Sequence, residues 1–191
     1  KLLLSKKADL NHQTKQGSTA LMSAAYQGHT EIVKLLLENK ANPNIQKEYG
    51  WTALMFAAKE GHTDIVKLLL ERGADFNQQN KQGSTALRFA VEKGNTEIVK
   101  SFLDKGANPN IQKKDGKTLL YDAAEKGDIE FVELLLDKGG DPNIRNKDGW
   151  TALHYAAKHG HTEIVKLLLD KEANLNQQTK KGSTAMTLAA E

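Results

Sequence analysis

The chain has 191 residues, a formal net charge of +3 from 27 basic and 24 acidic side chains, and no cysteine. The lack of cysteine excludes a disulfide framework and thiolate chemistry, and no apolar run is long enough to span a membrane. The charge is mixed, so composition alone does not indicate nucleic acid as a partner. We expect a cytoplasmic protein, or one that works in a host cytosol if the chain is an exported effector.

The chain is organised by glycines that recur every 33 residues without insertion: Gly17, Gly50, Gly83, Gly116, Gly149 and Gly182. The text after each glycine follows the pattern T-A-L-x-x-A-A-x-x-G-H-T-E-I-V-K-L-L-L with substitutions. The period predicts one domain over residues 1–191. It consists of a partial repeat at 1–16, five full repeats at 17–49, 50–82, 83–115, 116–148 and 149–181, and a partial repeat at 182–191.

This pattern resembles the ankyrin repeat, because Gly-x-Thr, Ala-Ala, Gly-His and Leu-Leu-Leu all keep the same phase. The resemblance covers essentially the whole chain. It implies an all-α solenoid of stacked helix-turn-helix units with β-hairpin loops, whose concave face binds other proteins. The proline that the family usually carries after the repeat threonine is alanine or leucine in this chain.

Each repeat predicts two helices. The first starts at a threonine cap: Thr19, Thr52, Thr85, Thr118, Thr151 or Thr184. Its core face is formed by residues such as Leu54, Ala57 and Ala58, and a glycine ends it. The second helix is expected to start from Thr30, Thr63, Thr96 or Thr162, also as caps, with Asp128 as the cap in the divergent repeat at 116–148.

In two repeats the glycine that is expected to end the second helix is replaced by another residue. Lys40 and Glu172 stand there instead. A left-handed conformation at either residue would cost about 1 kcal/mol.

Nothing in the pattern indicates a catalytic or metal site. Gly116–Thr118 resembles the end of a P-loop, but that motif needs a glycine where Ile111 stands. His154, His159 and His161 lie close in sequence, yet His154 and His161 fill structural positions of the repeat and no carboxylate recurs beside them. A stacked array also offers a groove and not an enclosed pocket. We therefore expect a non-enzyme without metal or cofactor.

Most of the aromatic residues fall where the resemblance places contacts to a partner. The predicted partner-binding residues are Tyr49, Trp51 and Trp150 beside the repeat glycines, and Tyr26, Phe56, Phe89 and Tyr155 on the outward side of the first helices. Aromatic rings bring large contact area at low entropy cost. The alternative is that these rings pack on one another or on neighbouring turns and only stiffen the array.

The predicted function is non-catalytic binding of another protein by a monomeric scaffold. A second hypothesis is a recruitment module of a larger enzyme or host-directed effector. A third is binding of single-stranded nucleic acid or a nucleotide-like ligand, with Trp51 and Trp150 as stacking platforms; the carboxylates among the lysines of the turns argue against it. Those lysines either steer an acidic partner or form a solvated edge.

Overall fold

The computed structural model describes residues 8–190, in two compact units: unit 1 ends at Ala107 and unit 2 begins at Asn108. Residues 1–7 of the first predicted partial repeat, and Glu191, lie outside the described residues.

In unit 1, helices come in pairs that stack as two rows. The first helices are α1 (Ala20–Gln27), α3 (Ala53–Glu60) and α5 (Ala86–Lys93), and the second helices are α2 (Thr30–Glu38), α4 (Thr63–Glu71) and α6 (Thr96–Asp104). The first helices pack α1 on α3 and α3 on α5, while the second helices pack α2 on α4 and α4 on α6.

Unit 2 repeats this arrangement. Its first helices are α7 (Leu119–Lys126), α9 (Ala152–Lys158) and α11 (Ala185–Ala189), and its second helices are α8 (Ile129–Asp137) and α10 (Thr162–Asp170). Helix α9 packs between α7 and α11, and α8 packs on α10.

The cores contain the residues that the helical pattern predicts. Leu54, Ala57 and Ala58 on α3 are buried, and so are Ile65 and Leu69 on α4. The small alanines let neighbouring first helices approach closely, and the leucine-rich second helices cover the other side of each first helix. A helix pair therefore buries its apolar faces against the next pair, as expected for repeat proteins.

The first helices begin at the predicted threonines. The Oγ1 atom of Thr19 accepts a hydrogen bond from the backbone N–H of Met22 (3.2 Å), and Thr52 accepts one from Met55 (3.2 Å). The corresponding threonines of the other described first helices are also N-caps: Thr85, Thr118, Thr151 and Thr184. These predictions are confirmed.

The predicted caps of the second helices are wrong by one residue. Thr30, Thr63, Thr96 and Thr162 are the first residues inside the helices, and the cap positions are His29, His62, Asn95 and His161. The reason is the short turn between paired helices, in which the N–H of Thr30 donates to the carbonyl of Gly28 (2.9 Å) and leaves one residue for the cap. Asp128 does cap α8, as predicted, because its Oδ1 accepts from the N–H of Phe131 (3.2 Å).

The connections between repeats are turns, and no β-strand occurs among residues 8–190. In the connection that carries Trp51, the N–H of Lys47 donates to the Trp51 carbonyl (2.9 Å), and the N–H of Gly50 donates to the Lys47 carbonyl (2.9 Å). The hairpins that the resemblance implied are thus tight turns, closed by too few hydrogen bonds to count as paired strands.

An asparagine ladder joins the turns that follow successive second helices. In unit 1 the Oδ1 of Asn44 accepts from the N–H of Asp75 (2.8 Å), while its Nδ2 donates to the carbonyl of Gly73 (3.0 Å). In unit 2, Asn110 and Asn143 each make the same two bonds to the next repeat. These side chains fix the spacing of the turns. The repeat pattern alone did not reveal this set of hydrogen bonds.

A second ladder runs through the hairpin turns. The Nε2 of Gln46 donates to the carbonyl of Gly50 within its own turn (3.1 Å) and to the carbonyl of Gln79 in the next (3.2 Å). In unit 2, Gln112 makes the equivalent bonds, and Arg145 replaces glutamine by donating from Nη2 to the carbonyl of Gln178 (2.8 Å). The turns are therefore held both internally and to each other.

Candidate functional site

Four of the predicted binding residues form a continuous row of rings in unit 1. Tyr26 meets Phe56 edge-on with ring centroids 5.7 Å apart, and Phe56 stacks on Trp51 at 4.9 Å. Trp51 stacks in turn on Phe89 at 4.5 Å. The row forms because Tyr26, Phe56 and Phe89 lie on α1, α3 and α5, which pack side by side, and Trp51 lies in the turn that precedes α3.

The rings of this row differ in exposure. Tyr26 is 52% exposed, whereas Trp51 and Phe56 are half-buried. Phe89 is only 8% exposed, so the prediction that it faces outward is wrong. The indole of Trp51 stacks on it, and Phe89 therefore supports Trp51 from beneath.

Tyr49 lies at the tip of the turn between α2 and α3. Its side chain is 53% exposed, and its backbone has φ 63°, in the left-handed region. Its carbonyl accepts a hydrogen bond from the N–H of Lys81 in the next turn (2.8 Å). We call Tyr26, Tyr49, Trp51 and Phe56 the unit 1 aromatic surface.

Three of the four rings of the unit 1 aromatic surface, those of Phe56, Trp51 and Tyr49, each have a lysine ammonium group over them. The Nζ atom of Lys47 lies 5.5 Å from the ring centroid of Phe56, that of Lys59 lies 5.3 Å from Trp51, and that of Lys81 lies 4.9 Å from Tyr49. Each contact is worth about 0.5–1 kcal/mol at an exposed site. These contacts place positive charge directly on an aromatic patch.

Two depressions flank Lys47 on this surface. One, with a volume of 340 Å³, is lined by Ser18, Met22, Ser23, Tyr26, Lys47 and Phe56. The other, of 420 Å³, lies at the turn tips and is lined by Gln46, Lys47, Glu48, Tyr49, Gly50, Gln79, Asn80 and Lys81. Both are open to solvent, so they suit side chains of a partner better than an enclosed substrate.

The two remaining predicted binding residues form a smaller cluster in unit 2. Trp150 lies against Tyr155 with ring centroids 4.6 Å apart, and Tyr155 packs on Tyr121 at 4.1 Å. Both Trp150 and Tyr155 are half-buried. We call Trp150 and Tyr155 the unit 2 aromatic surface. Lys158 covers Trp150 at 5.4 Å, and Lys117 lies 5.6 Å from the ring of Tyr155.

Tyr121 is a member of this cluster that the sequence reasoning missed. It is 2% exposed, and the Nδ2 of Asn146 donates a hydrogen bond to its hydroxyl (3.1 Å). Burial, followed by a hydrogen bond with Tyr155, raises the pKa of the Tyr121 hydroxyl far above its usual value. The only available signal was its position, since Tyr121 follows Thr118 by three residues as Met55 follows Thr52, and Met55 is in the core.

His154 has a structural role beneath the unit 2 aromatic surface. Its Nδ1 accepts from the N–H of Thr151 (3.2 Å), and its Nε2 lies 3.0 Å from the carbonyl of Gln177, to which it donates. The two bonds together require the neutral imidazole with its proton on Nε2. Burial lowers the pKa of His154, in keeping with this geometry.

The other repeat histidines brace neighbouring turns. The Nε2 of His62 lies 3.1 Å from the carbonyl of Tyr26 in the preceding repeat. His161 packs under Gly127, where a Cβ atom would come within 2.7 Å of the imidazole Cε1. His159 and His161 stack at 5.9 Å, but no group of three His, Asp or Glu side chains within residues 8–190 is arranged to hold a metal ion.

None of the helices in the described part of the chain has the length and apolar character needed to cross a membrane.

Comparison with known proteins identifies the repeat. The family model for ankyrin repeats matches the chain in three copies, over residues 1–80, 72–146 and 120–191. Among solved structures, the chain is similar to the ankyrin repeat domain of Bcl-3, described as a unique member of the IkappaB protein family. The identity is 27% and the TM-score is 0.89, over 98% of this chain and 85% of that chain. A search of curated proteins found no significant match. The predicted fold class, an all-α ankyrin-repeat solenoid, is confirmed by these matches.

Proposed function

This chain belongs to the ankyrin-repeat family, and from that premise we propose that it is a non-catalytic scaffold that binds a partner protein. Ankyrin repeats are in general protein–protein interaction modules. The contacts are made by the unit 1 aromatic surface and by the unit 2 aromatic surface, each acting in its own part of the chain.

The row of rings across α1, α3 and α5 is the observation that carries this proposal. Tyr26 and Tyr49 are each more than half exposed. The ring of Tyr26 contacts Phe56, which stacks on Trp51, and Tyr49 lies two residues before Trp51 in the same turn. Exposed tyrosines next to partly buried aromatic rings match the composition of binding hot spots, which are rich in Trp and Tyr and lie at well-packed centres.

The surface is also ordered in advance of binding. Trp51 is held by stacking on Phe56 and Phe89, and Tyr49 lies in a turn that the Gln46 ladder joins to the next repeat. A partner therefore meets side chains that have already lost much of their freedom. Little further entropy is lost on binding, so more of the contact energy appears as affinity.

The test is quantitative protein capture from a lysate of the source cells with two matched double variants. Tyr26→Ala with Tyr49→Ala removes the two exposed rings of the unit 1 aromatic surface. Ile32→Ala with Ile129→Ala removes two exposed apolar side chains, 48% and 43% exposed, from the second helices. All four sites are exposed, so both variants should fold.

We expect the tyrosine variant to lose specific proteins that the wild type and the isoleucine variant retain, by about tenfold or more for each protein. The binding constant of each such protein, measured with purified components, should show the same difference. Equal capture by all three proteins, or equal loss from both variants, would contradict the proposal.

A further inference from the structure

We infer that the segment bound by the unit 1 aromatic surface is an acidic stretch of polypeptide that also carries apolar side chains. This inference rests on the proposed function and names the chemistry of the partner. Its starting point is that the three lysines of this surface, Lys47, Lys59 and Lys81, are presented on rings and not on carboxylates.

Within residues 8–190, none of these three lysines lies within ion-pair distance of a carboxylate, whereas Lys67 on α4 pairs with Glu97 at 2.6 Å. Glu48 is the one carboxylate among the described residues that line the two depressions. Positive charge therefore exceeds negative charge on the surface itself, although the whole chain is nearly balanced.

Lys47 lies between the two depressions of the unit 1 aromatic surface and so sets where a partner carboxylate binds relative to them. This lysine lines both depressions, with Met22, Tyr26 and Phe56 on one side and Tyr49 and Lys81 on the other. A partner carboxylate at Lys47 would bring the neighbouring residues of the partner over the apolar depression on one side and the turn tips on the other. The fitting segment alternates acidic residues with aromatic or aliphatic ones.

Charge and ring contacts act together in this arrangement. Each ammonium group lies over a ring, which holds it at the surface without neutralising its charge, so the charge stays available to an incoming carboxylate. A charge-assisted hydrogen bond is stronger than a neutral one. Opposite charge also steers the encounter and fixes the orientation of the partner.

The phosphates of a nucleic acid could pair with the lysines, but its bases would not find free ring faces on which to stack. Binding of single strands relies on aromatic faces that are free to stack on bases. Trp51 already stacks on Phe56 and Phe89, and Lys81 lies over the ring of Tyr49. The observations therefore favour an acidic polypeptide.

The test is selection from a random peptide library with three forms of the full chain. The first is the wild type and the second is Lys47→Glu with Lys81→Glu. The third, Lys34→Glu with Lys100→Glu, makes the same charge change at two exposed lysines of the second helices α2 and α6. Circular dichroism of each form establishes that the fold is retained.

We expect the wild type and the α2/α6 variant to select peptides enriched in Asp and Glu together with aromatic or aliphatic residues. The Lys47 and Lys81 variant should bind those peptides at least about tenfold more weakly. A library round without acidic enrichment, or equal binding of the selected peptides by all three forms, overturns the inference.

Three further outcomes would each overturn the inference, and they show whether the proposed function fails with it. If a fluorescent oligothymidylate binds the wild type more tightly than the selected peptides, and the Lys47 and Lys81 variant loses it, the ligand is nucleic acid and the inference fails. If captured proteins depend on Tyr26 and Tyr49 but not on Lys47 and Lys81, the acidic chemistry fails while the protein-binding function stands. If they depend on neither pair, the proposed function fails as well.

Discussion

At the scale of single residues, His154 shows how a polar side chain is accommodated in the core. The N–H of Thr151 donates to its Nδ1, and its Nε2 donates to the carbonyl of Gln177, so both ring nitrogens are satisfied in the neutral state. Protonation of Nδ1 would place its N–H against the backbone N–H of Thr151, and two donors cannot form a hydrogen bond with each other. The lowered pKa of His154, caused first by burial, reflects the same preference.

This arrangement predicts a contribution of His154 to the pH dependence of stability. The pKa of His154 is lower in the folded state than the value of about 6.5 in an unfolded chain, so the unfolded state binds the proton more readily. The contribution is therefore present above about pH 6.5 and is lost as the pH falls through the lower folded pKa.

The matched variant is His154→Met, because Met22 and Met55 occupy the same buried position in unit 1. Urea unfolding of both proteins between about pH 8 and pH 5 should show a steeper fall in the free energy of unfolding for the wild type. Parallel pH profiles would show that His154 does not titrate as described.

Lys40 and Glu172 illustrate backbone strain at single residues. Their φ angles of 68° and 62° lie in the left-handed region, the conformation whose expected cost at these positions is about 1 kcal/mol. The corresponding residue in another repeat is Gly73, with φ 80°. A side chain is disfavoured there because Cβ approaches the following carbonyl.

We expect Lys40→Gly with Glu172→Gly to raise the free energy of unfolding by about 1 kcal/mol for each site, measured by urea denaturation. Gly73→Lys is the reverse control. A Cβ at Gly73 has no neighbour within 4 Å, so this change should lower the free energy through the backbone alone. A loss of stability in the double glycine variant would contradict this account.

At the scale of elements, the ladders explain how short turns keep a fixed spacing. The second helix α4 buries most of its apolar side chains, but the turn that follows each second helix contains polar backbone groups that the helices cannot satisfy. Asn143 satisfies two of them at once, the N–H of Asn174 and the carbonyl of Glu172. The ladders thereby order the turn tips that carry Tyr49 and Lys81.

Asn143→Ala should lower the free energy of unfolding of the chain by about 1–3 kcal/mol, because it leaves a backbone donor and a backbone acceptor without their partner. Asn176→Ala is the matched control. Asn176 has the corresponding place one repeat later, and its side chain makes no such bridge within residues 8–190. Thermal or urea unfolding of the two variants measures the difference, and equal losses would mean that the ladder contributes little.

At the scale of the molecule, the core and not the surface charge accounts for stability. Ion pairs between repeats, such as Lys67 with Glu97 and Lys171 with Asp137, are largely exposed. Glu97 raises the pKa of Lys67 by hydrogen bonding and by its charge, but pairs of this kind are screened by water and salt.

We expect the free energy of unfolding to change by less than about 1 kcal/mol when NaCl is raised from about 0.05 M to about 0.5 M. Leu135→Ala, at a residue with no exposed surface, should instead cost about 2–5 kcal/mol at either salt concentration. A change with salt as large as that of Leu135→Ala would show that surface charge dominates.

The repeat, its period and most local features can be read directly from the order of the amino acids. The spacing of the glycines located the repeats, and the chemistry of threonine and glycine predicted how each first helix starts and how the chain turns, because these depend on atoms a few residues apart. The aromatic residues of the candidate site could also be named from the sequence. Their role in binding remains a prediction.

Features that depend on contacts between neighbouring repeats became visible in the folded chain and not in the sequence. The burial of Phe89 under Trp51, the place of Tyr121 in the core and the bridge from Asn44 to Asp75 each join residues 25 or more positions apart in the sequence. The cap positions of the second helices likewise followed from the length of the turn as it folds. A periodic sequence shows which residues are equivalent, but the packing of each repeat on the next decides which of them are exposed.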